Sequence, residues 1–127
     1  MNNNTEAFTF TGRVRSIQHA ANGIAEMLKS QHNFWIHLLA AMAASLFALI
    51  LQISTQEWCL LILSIMAAWV SEALNTALEF LCDVASPEFH PLVKKSKDVA
   101  AGAVLVSAIG STIIGLIIFT PYIKALI

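Results

Sequence analysis

After residue 30 the chain alternates long apolar runs with short polar breaks. The first run, 34–53, is broken by His37 and Gln52. As a helix it reaches about 30 Å, the depth of a hydrocarbon layer. A polar turn at 54–57 leads to a second run, 58–82. A loop with two prolines, 85–95, precedes the third run, 99–118. Tyr122 and Lys124 follow it, placed as interfacial anchors. The pattern predicts an all-α membrane protein with transmembrane helices over 34–53, 58–82 and 99–118, in one integral-membrane domain covering 1–127.

Residues 10–30 have a different period. Val14, Ile17, Ala21, Ile24 and Leu28 recur at gaps of three and four, the spacing of one helical face. Arg13, Arg15, Gln18, His19, Asn22, Glu26 and Lys29 lie away from its centre. This stripe is short and weak for spanning, so an amphipathic helix lying on the membrane surface is expected. The alternative is an amphipathic helix packed on the protein itself. Residues 1–9 are polar and Asn-rich, expected to be flexible, and lack the apolar core of a signal peptide.

Polar groups interrupt the second run at regular offsets. Glu72, Asn75, Glu79 and Asp83 stand at i, i+3, i+7 and i+11, within an arc of roughly 80° on a helix. Thr76 lies beside them, and Trp58, Leu61, Trp69, Leu74 and Leu78 cover much of the rest. Ionisable groups at membrane depth are costly, and a functional site is their default reading. In the third run Ala103, Ser107, Ser111 and Gly115 recur every four residues, which lets helices approach closely. That contact is either within the chain or between subunits. A three-span monomer is expected to leave much of the polar stripe facing lipid, so an oligomer is expected.

Composition narrows the class further. The chain is 57% hydrophobic and 12% charged, with a mean hydropathy of +0.72, which excludes an ordinary soluble protein. A net charge of −1 points to no nucleic-acid partner. No phosphate-binding glycine loop, dinucleotide fingerprint or Cys/His metal spacing is present. Cys59 and Cys82 share one predicted helix about 35 Å apart, so they cannot bridge within the chain. Six of the seven Lys and Arg residues fall on one side: Arg13, Arg15 and Lys29 before the first run, Lys94, Lys95 and Lys97 after the second. The positive-inside rule makes that side, with the N-terminus and the 83–98 loop, cytoplasmic.

The stretch Glu72-Ala-Leu-Asn75-Thr-Ala-Leu-Glu79 with Asp83, then Ser86-Pro87-Glu88-Phe89-His90-Pro91 and Lys97-Asp98-Val-Ala-Ala-Gly-Ala-Val, resembles the bacterial membrane-integral diacylglycerol kinase and undecaprenol kinase family. The likeness extends over residues 10–120. It implies a homotrimer in the bacterial inner membrane that moves the γ-phosphate of MgATP to diacylglycerol or undecaprenol, giving phosphatidic acid or undecaprenyl phosphate. It further implies Glu72 as the base, with Asn75 and Lys97 at the phosphates. Glu79 and Gln31 become Mg²⁺ ligands, Asp98 a nucleotide contact, and His90 and Asp83 supports of the nucleotide site.

The residues are compatible with these roles. Phosphoryl transfer needs a metal, neutralising cations and a base at the acceptor hydroxyl. Glu72 lies two turns deeper than Glu79, where a lipid hydroxyl can be met; Glu79 is nearer the surface and suits a metal. Plainer roles also exist. Asp83 can cap the helix end, His90 can hydrogen-bond within its loop, His37 can pack between spans, and Lys94 and Lys95 can set topology.

One departure stands out. The family carries a second metal-binding Glu in a Glu-x-Asn-(x)2-Ile-His context. Here the segment reads Gln31-His32-Asn33-Phe34-Trp35-Ile36-His37, with a neutral amide at the Glu position. The family's N-terminal nucleotide contacts also match poorly. The rival reading is a small oligomeric transporter using Glu72 or Glu79 as a proton or cation site. It leaves the gathering of Asn75, Lys97 and Asp98 at the cytoplasmic end unexplained.

Overall fold

The computed structural model describes residues 9–127, so the flexible stretch expected over 1–9 lies outside it except for Thr9. Thr9 opens the first helix, α1 (Phe10–Ser30), by accepting the Gly12 N–H on Oγ1 at 3.2 Å. A single extended residue, Gln31, then closes α1 and starts α2 (His32–Leu51). Its N–H donates to the Met27 carbonyl, and Trp35 Nε1 donates to the Leu28 carbonyl at 2.8 Å, which fixes the joint. Met27 is the buried residue of α1 and lies outside the apolar stripe. Val14, Ile17 and Ile24 of the stripe are exposed. The stripe therefore turns away from the rest of the chain.

Gln52 ends α2 in the left-handed conformation, φ 52°, a tight reversal that a non-glycine residue seldom adopts. Ser54 starts α3 (Thr55–Ala85) through a reciprocal cap. Ser54 Oγ accepts the Glu57 N–H at 3.3 Å, and Glu57 Oε2 accepts the Ser54 N–H at 2.8 Å. Tyr122 of the last helix donates its hydroxyl to the same Oε2 and ties the two helices at this end.

The last helix, α4, runs Pro91–Leu126, so the loop expected over 85–95 shrinks to 86–90. Pro91 occupies the first helical turn, where its missing N–H costs nothing. His90 caps that turn, its Nδ1 accepting the Leu92 N–H at 3.2 Å. At the other end α4 continues through Pro121, well past the predicted stop at 118.

Helix α3 is the axis of the molecule, packed along α4 and more lightly on α2. Ser111 Oγ donates to the Ser64 carbonyl at 2.9 Å where α3 and α4 meet, so the small-residue stripe serves a contact within the chain at this point. Ala48, Ile53, Leu61 and Ile118 form a buried cluster near the Glu57 cap. Stretches of 18 residues within the three long helices have mean hydropathies of 2.2, 1.6 and 2.3, and many of the large apolar side chains face outward, the surface of a multi-pass membrane protein. The 31 residues of α3 and 36 of α4 give helices of about 46 and 54 Å, longer than the ~30 Å layer, so their ends project from it.

Candidate active site

The i, i+3, i+7 spacing on α3 delivers Glu72, Asn75 and Glu79 to one cavity of about 340 Å³. Asn33 and His37 of α2 and Ala101, Val104 and Ala108 of α4 complete its wall. The deeper half of the stripe is therefore covered within one chain, while Glu79 is half-buried and Asp83 exposed. Glu72 is 1% exposed, Thr76 3% and Asn75 7%, which corrects, for that half, the expectation that a monomer leaves the stripe open to lipid. The reason is packing: α4 lies along α3, and α2 closes the remaining side.

Inside the cavity the polar groups are unevenly satisfied. Asn75 Nδ2 donates to Glu79 Oε1 at 3.0 Å, and Thr76 Oγ1 donates to the Glu72 backbone carbonyl at 2.8 Å. Both carboxylate oxygens of Glu72 and the Asn75 amide oxygen are buried without a partner. Buried polar atoms are nearly always hydrogen-bonded, and exceptions concentrate where a ligand is to be met. Glu79 is half-buried, at the outer end of the cavity.

Lys97, Asp98 and His90 lie elsewhere. With Asp83, Glu88 and Lys94 they line an open polar pocket of about 420 Å³ at the projecting ends of α3 and α4. Lys97 is paired with Asp83 and Asp98 with Lys94, both exposed ion pairs that water screens. Glu79 and Asp83 stand one turn apart on α3, about 6 Å in rise, so the two pockets adjoin. Gln31 sits at the α1–α2 joint and does not line the Glu72 cavity.

His37, for which packing between spans was the plainer role, lines the cavity, as does Asn33, to which no role was given. The signal was present, because polar residues at i and i+4 in an apolar run share a helix face. A metal fits this donor set in a limited way. Among the described residues no three His, Cys, Asp or Glu side chains gather. Mg²⁺ commonly takes only one or two carboxylates and completes its shell with substrate phosphates and water. Glu79 with the unpartnered Asn75 oxygen suits that role.

The sequence profile of the prokaryotic diacylglycerol kinases matches residues 18–119. An undecaprenol kinase of Bacillus subtilis (strain 168) is 42% identical over 107 residues, covering 84% of this chain and 87% of the relative. A diacylglycerol kinase of Synechocystis sp. is 35% identical over 107 residues, covering 84% of this chain and 61% of the relative. The diacylglycerol kinase of Escherichia coli (strain K12) is 29% identical over 113 residues, 89% of this chain and 91% of the relative.

Proposed function

Because the chain belongs to the prokaryotic diacylglycerol kinase family and is a lipid kinase, we propose that it transfers the γ-phosphate of ATP to a membrane lipid alcohol, diacylglycerol or undecaprenol. The observation that carries this reading is the unpartnered Glu72 carboxylate, shut in a cavity at membrane depth beside Asn75 and Glu79. Glu72 takes the proton of the alcohol hydroxyl as its oxygen attacks the γ-phosphorus, and the bond to the β,γ-bridging oxygen breaks to release ADP. Asn75 orients the phosphate and is itself held by Glu79. Lys97 exchanges Asp83 for the phosphates, and Asp98 and His90 face the nucleotide from the adjoining pocket. Glu79 would hold Mg²⁺, with Gln31 as the second candidate ligand, and the ion would supply charge neutralisation at the phosphates. Family membership favours this reading over the transporter.

The assembly belongs to the same proposal. Half-buried Glu79 leaves one side of the site for a second copy to complete, in keeping with the homotrimer the resemblance implies. The exposed apolar stripe of α1 fits a helix lying on the cytoplasmic face of the inner membrane. The test is label transfer from γ-labelled ATP by purified protein in mixed micelles, run separately with diacylglycerol and undecaprenol. Labelled phosphatidic acid or undecaprenyl phosphate is the expected product. Absence of lipid-dependent transfer with both alcohols refutes the reading.

A further inference from the structure

A base that takes a proton from each alcohol must lose that proton before it can serve again. Glu72 is badly placed to lose it unaided. Its side chain is 1% exposed, and neither carboxylate oxygen has a hydrogen-bond partner, so the proton has no exit through an existing bond. The wall of its cavity offers few acceptors. Besides Glu72, the ionisable groups lining it are His37 from α2 and Glu79 from α3. Helix α4 contributes only apolar side chains to that wall, and α1 contributes none.

Of the two, Glu79 is the poorer acceptor. It stands almost two turns further along α3, about 10 Å of rise, and its Oε1 already accepts from Asn75 Nδ2 at 3.0 Å. His37 comes from the facing helix and interacts electrostatically with Glu72 across the cavity. In water an imidazole holds a proton about two pH units more firmly than a carboxylate, roughly a hundredfold in favour of transfer from a protonated Glu72. It also gives that proton up near neutral pH. His37 is half-buried where Glu72 is closed off, and Asn33, one turn nearer the start of α2 on the same face, is exposed. On its other side His37 borders a space walled by Ala40, Ala44, Ala68 and Gly115, among others, which holds no further ionisable group. The way out for a proton therefore leads past Asn33.

We propose that His37 is the proton relay of Glu72, carrying the proton of each reacted alcohol from the closed cavity to water at the start of α2. The proposal rests on the lipid-kinase reading above and adds the step that resets the base. In the transfer, the alcohol O–H bond breaks and an O–H bond forms on Glu72. The alcohol oxygen bonds to the γ-phosphorus, and ADP leaves with the electrons of the broken P–O bond. In the reset, the Glu72 O–H bond breaks and its electron pair stays on the carboxylate. A ring nitrogen of His37 uses its lone pair to form the new N–H bond. The imidazolium then gives that proton to water beside Asn33 and returns to its neutral form. His37 acts through Glu72 and not on the substrate, and that division can be measured.

The experiment compares one turnover with many, using the full chain in mixed micelles, γ-labelled ATP, and dioctanoylglycerol or farnesol in separate runs. As the base, Glu72 starts deprotonated, so the first turnover needs no relay and every later one does. With protein in excess of ATP, His37→Gln should keep the single-turnover rate within about threefold of the wild type. With ATP in excess, its steady-state turnover should fall about 10²-fold. In His37→Ala, added imidazole should restore the steady-state rate, which a purely structural loss would not allow. Equal losses in both rates overturn the proposal, because they make His37 part of the packing or of the transfer itself. No loss in either rate also overturns it, because the proton then leaves by another route, such as on the product phosphate. A second readout needs no turnover: the histidine ring nitrogens of the ¹⁵N-labelled full chain are titrated with pH by NMR. The His37 signal, assigned by its absence in His37→Gln, should have a protonation midpoint that moves in Glu72→Gln, while His19, His32 and His90 keep theirs. A His37 midpoint indifferent to Glu72 overturns the relay. Linked His37 and Glu72 in a protein that phosphorylates neither alcohol refutes the kinase reading and keeps the proton pair, whereas active kinase with an indifferent His37 does the reverse.

Discussion

Replacing Glu72 with methionine should make the protein inactive and more stable at once. The side chain is 1% exposed, and neither carboxylate oxygen has a hydrogen-bond partner. Each polar atom left unsatisfied in the interior costs about 1–3 kcal/mol. Methionine has a similar length and brings no strongly polar atom, so even the lower figure for two oxygens predicts a gain of about 2 kcal/mol. Glu72→Gln is the isosteric companion. It keeps an unsatisfied oxygen and adds an unsatisfied amide, so its stability should stay near that of the wild type. Both variants lose the proposed proton acceptor, and turnover should fall by about 10²–10⁴. The measurements are unfolding in a denaturing-detergent titration followed by circular dichroism, and kinase turnover at saturating ATP. A methionine variant less stable than the wild type would mean that the carboxylate has a stabilising partner in the resting protein. Near-normal turnover in Glu72→Gln would remove the residue from the base role.

The other predictions concern the metal, the nucleotide and the far end of the bundle. Gln31→Glu should lower the Mg²⁺ concentration for half-maximal activity, because an added charge strengthens an oxygen site, while Glu79→Gln should raise it far more. Superimposable Mg²⁺ titrations of wild type and Gln31→Glu, with Glu79→Gln impaired, would place Gln31 outside the metal shell. Lys97→Ala and Asp98→Ala should each raise the KM for ATP several-fold, within the range of about 1 kcal/mol or more expected of a charge-assisted hydrogen bond to phosphate; a normal ATP dependence in both would move the nucleotide out of their pocket. Tyr122→Phe removes the hydroxyl bond to Glu57 that ties α4 to the start of α3. It should lower the midpoint of detergent unfolding and leave kcat within about twofold, since the Glu72 cavity lies at the other end of the bundle; lost turnover with unchanged stability would contradict that division.

The helices and the polar stripe were legible in the sequence because both are local. An apolar run of about 20 residues is long enough to span, and a 3.6-residue period alone puts Glu72, Asn75 and Glu79 on one face. The start of α3 was harder to read: the polar turn expected over 54–57 holds the capping box of Ser54 and Glu57 and opens the helix at Thr55. The extent of the 86–90 loop was less legible. Pro91 reads as a breaker in a string of letters, yet at the first turn of α4 it starts the helix instead.

What covers each face was decided only by tertiary structure. Apolar helices present similar surfaces all round, so the pattern cannot say which side meets a neighbour and which meets lipid. Packing of α4 along α3 helped bury Glu72 within one chain, while α2 brought Asn33 and His37 to the same cavity. The same packing engaged Ser111 with the Ser64 carbonyl instead of leaving it for another subunit, and set Lys97 against Asp83. The order of charges and small residues along the chain is written in the sequence. Their partners depend on helix crossings between residues as far apart as Ser64 and Ser111, and no local period encodes those.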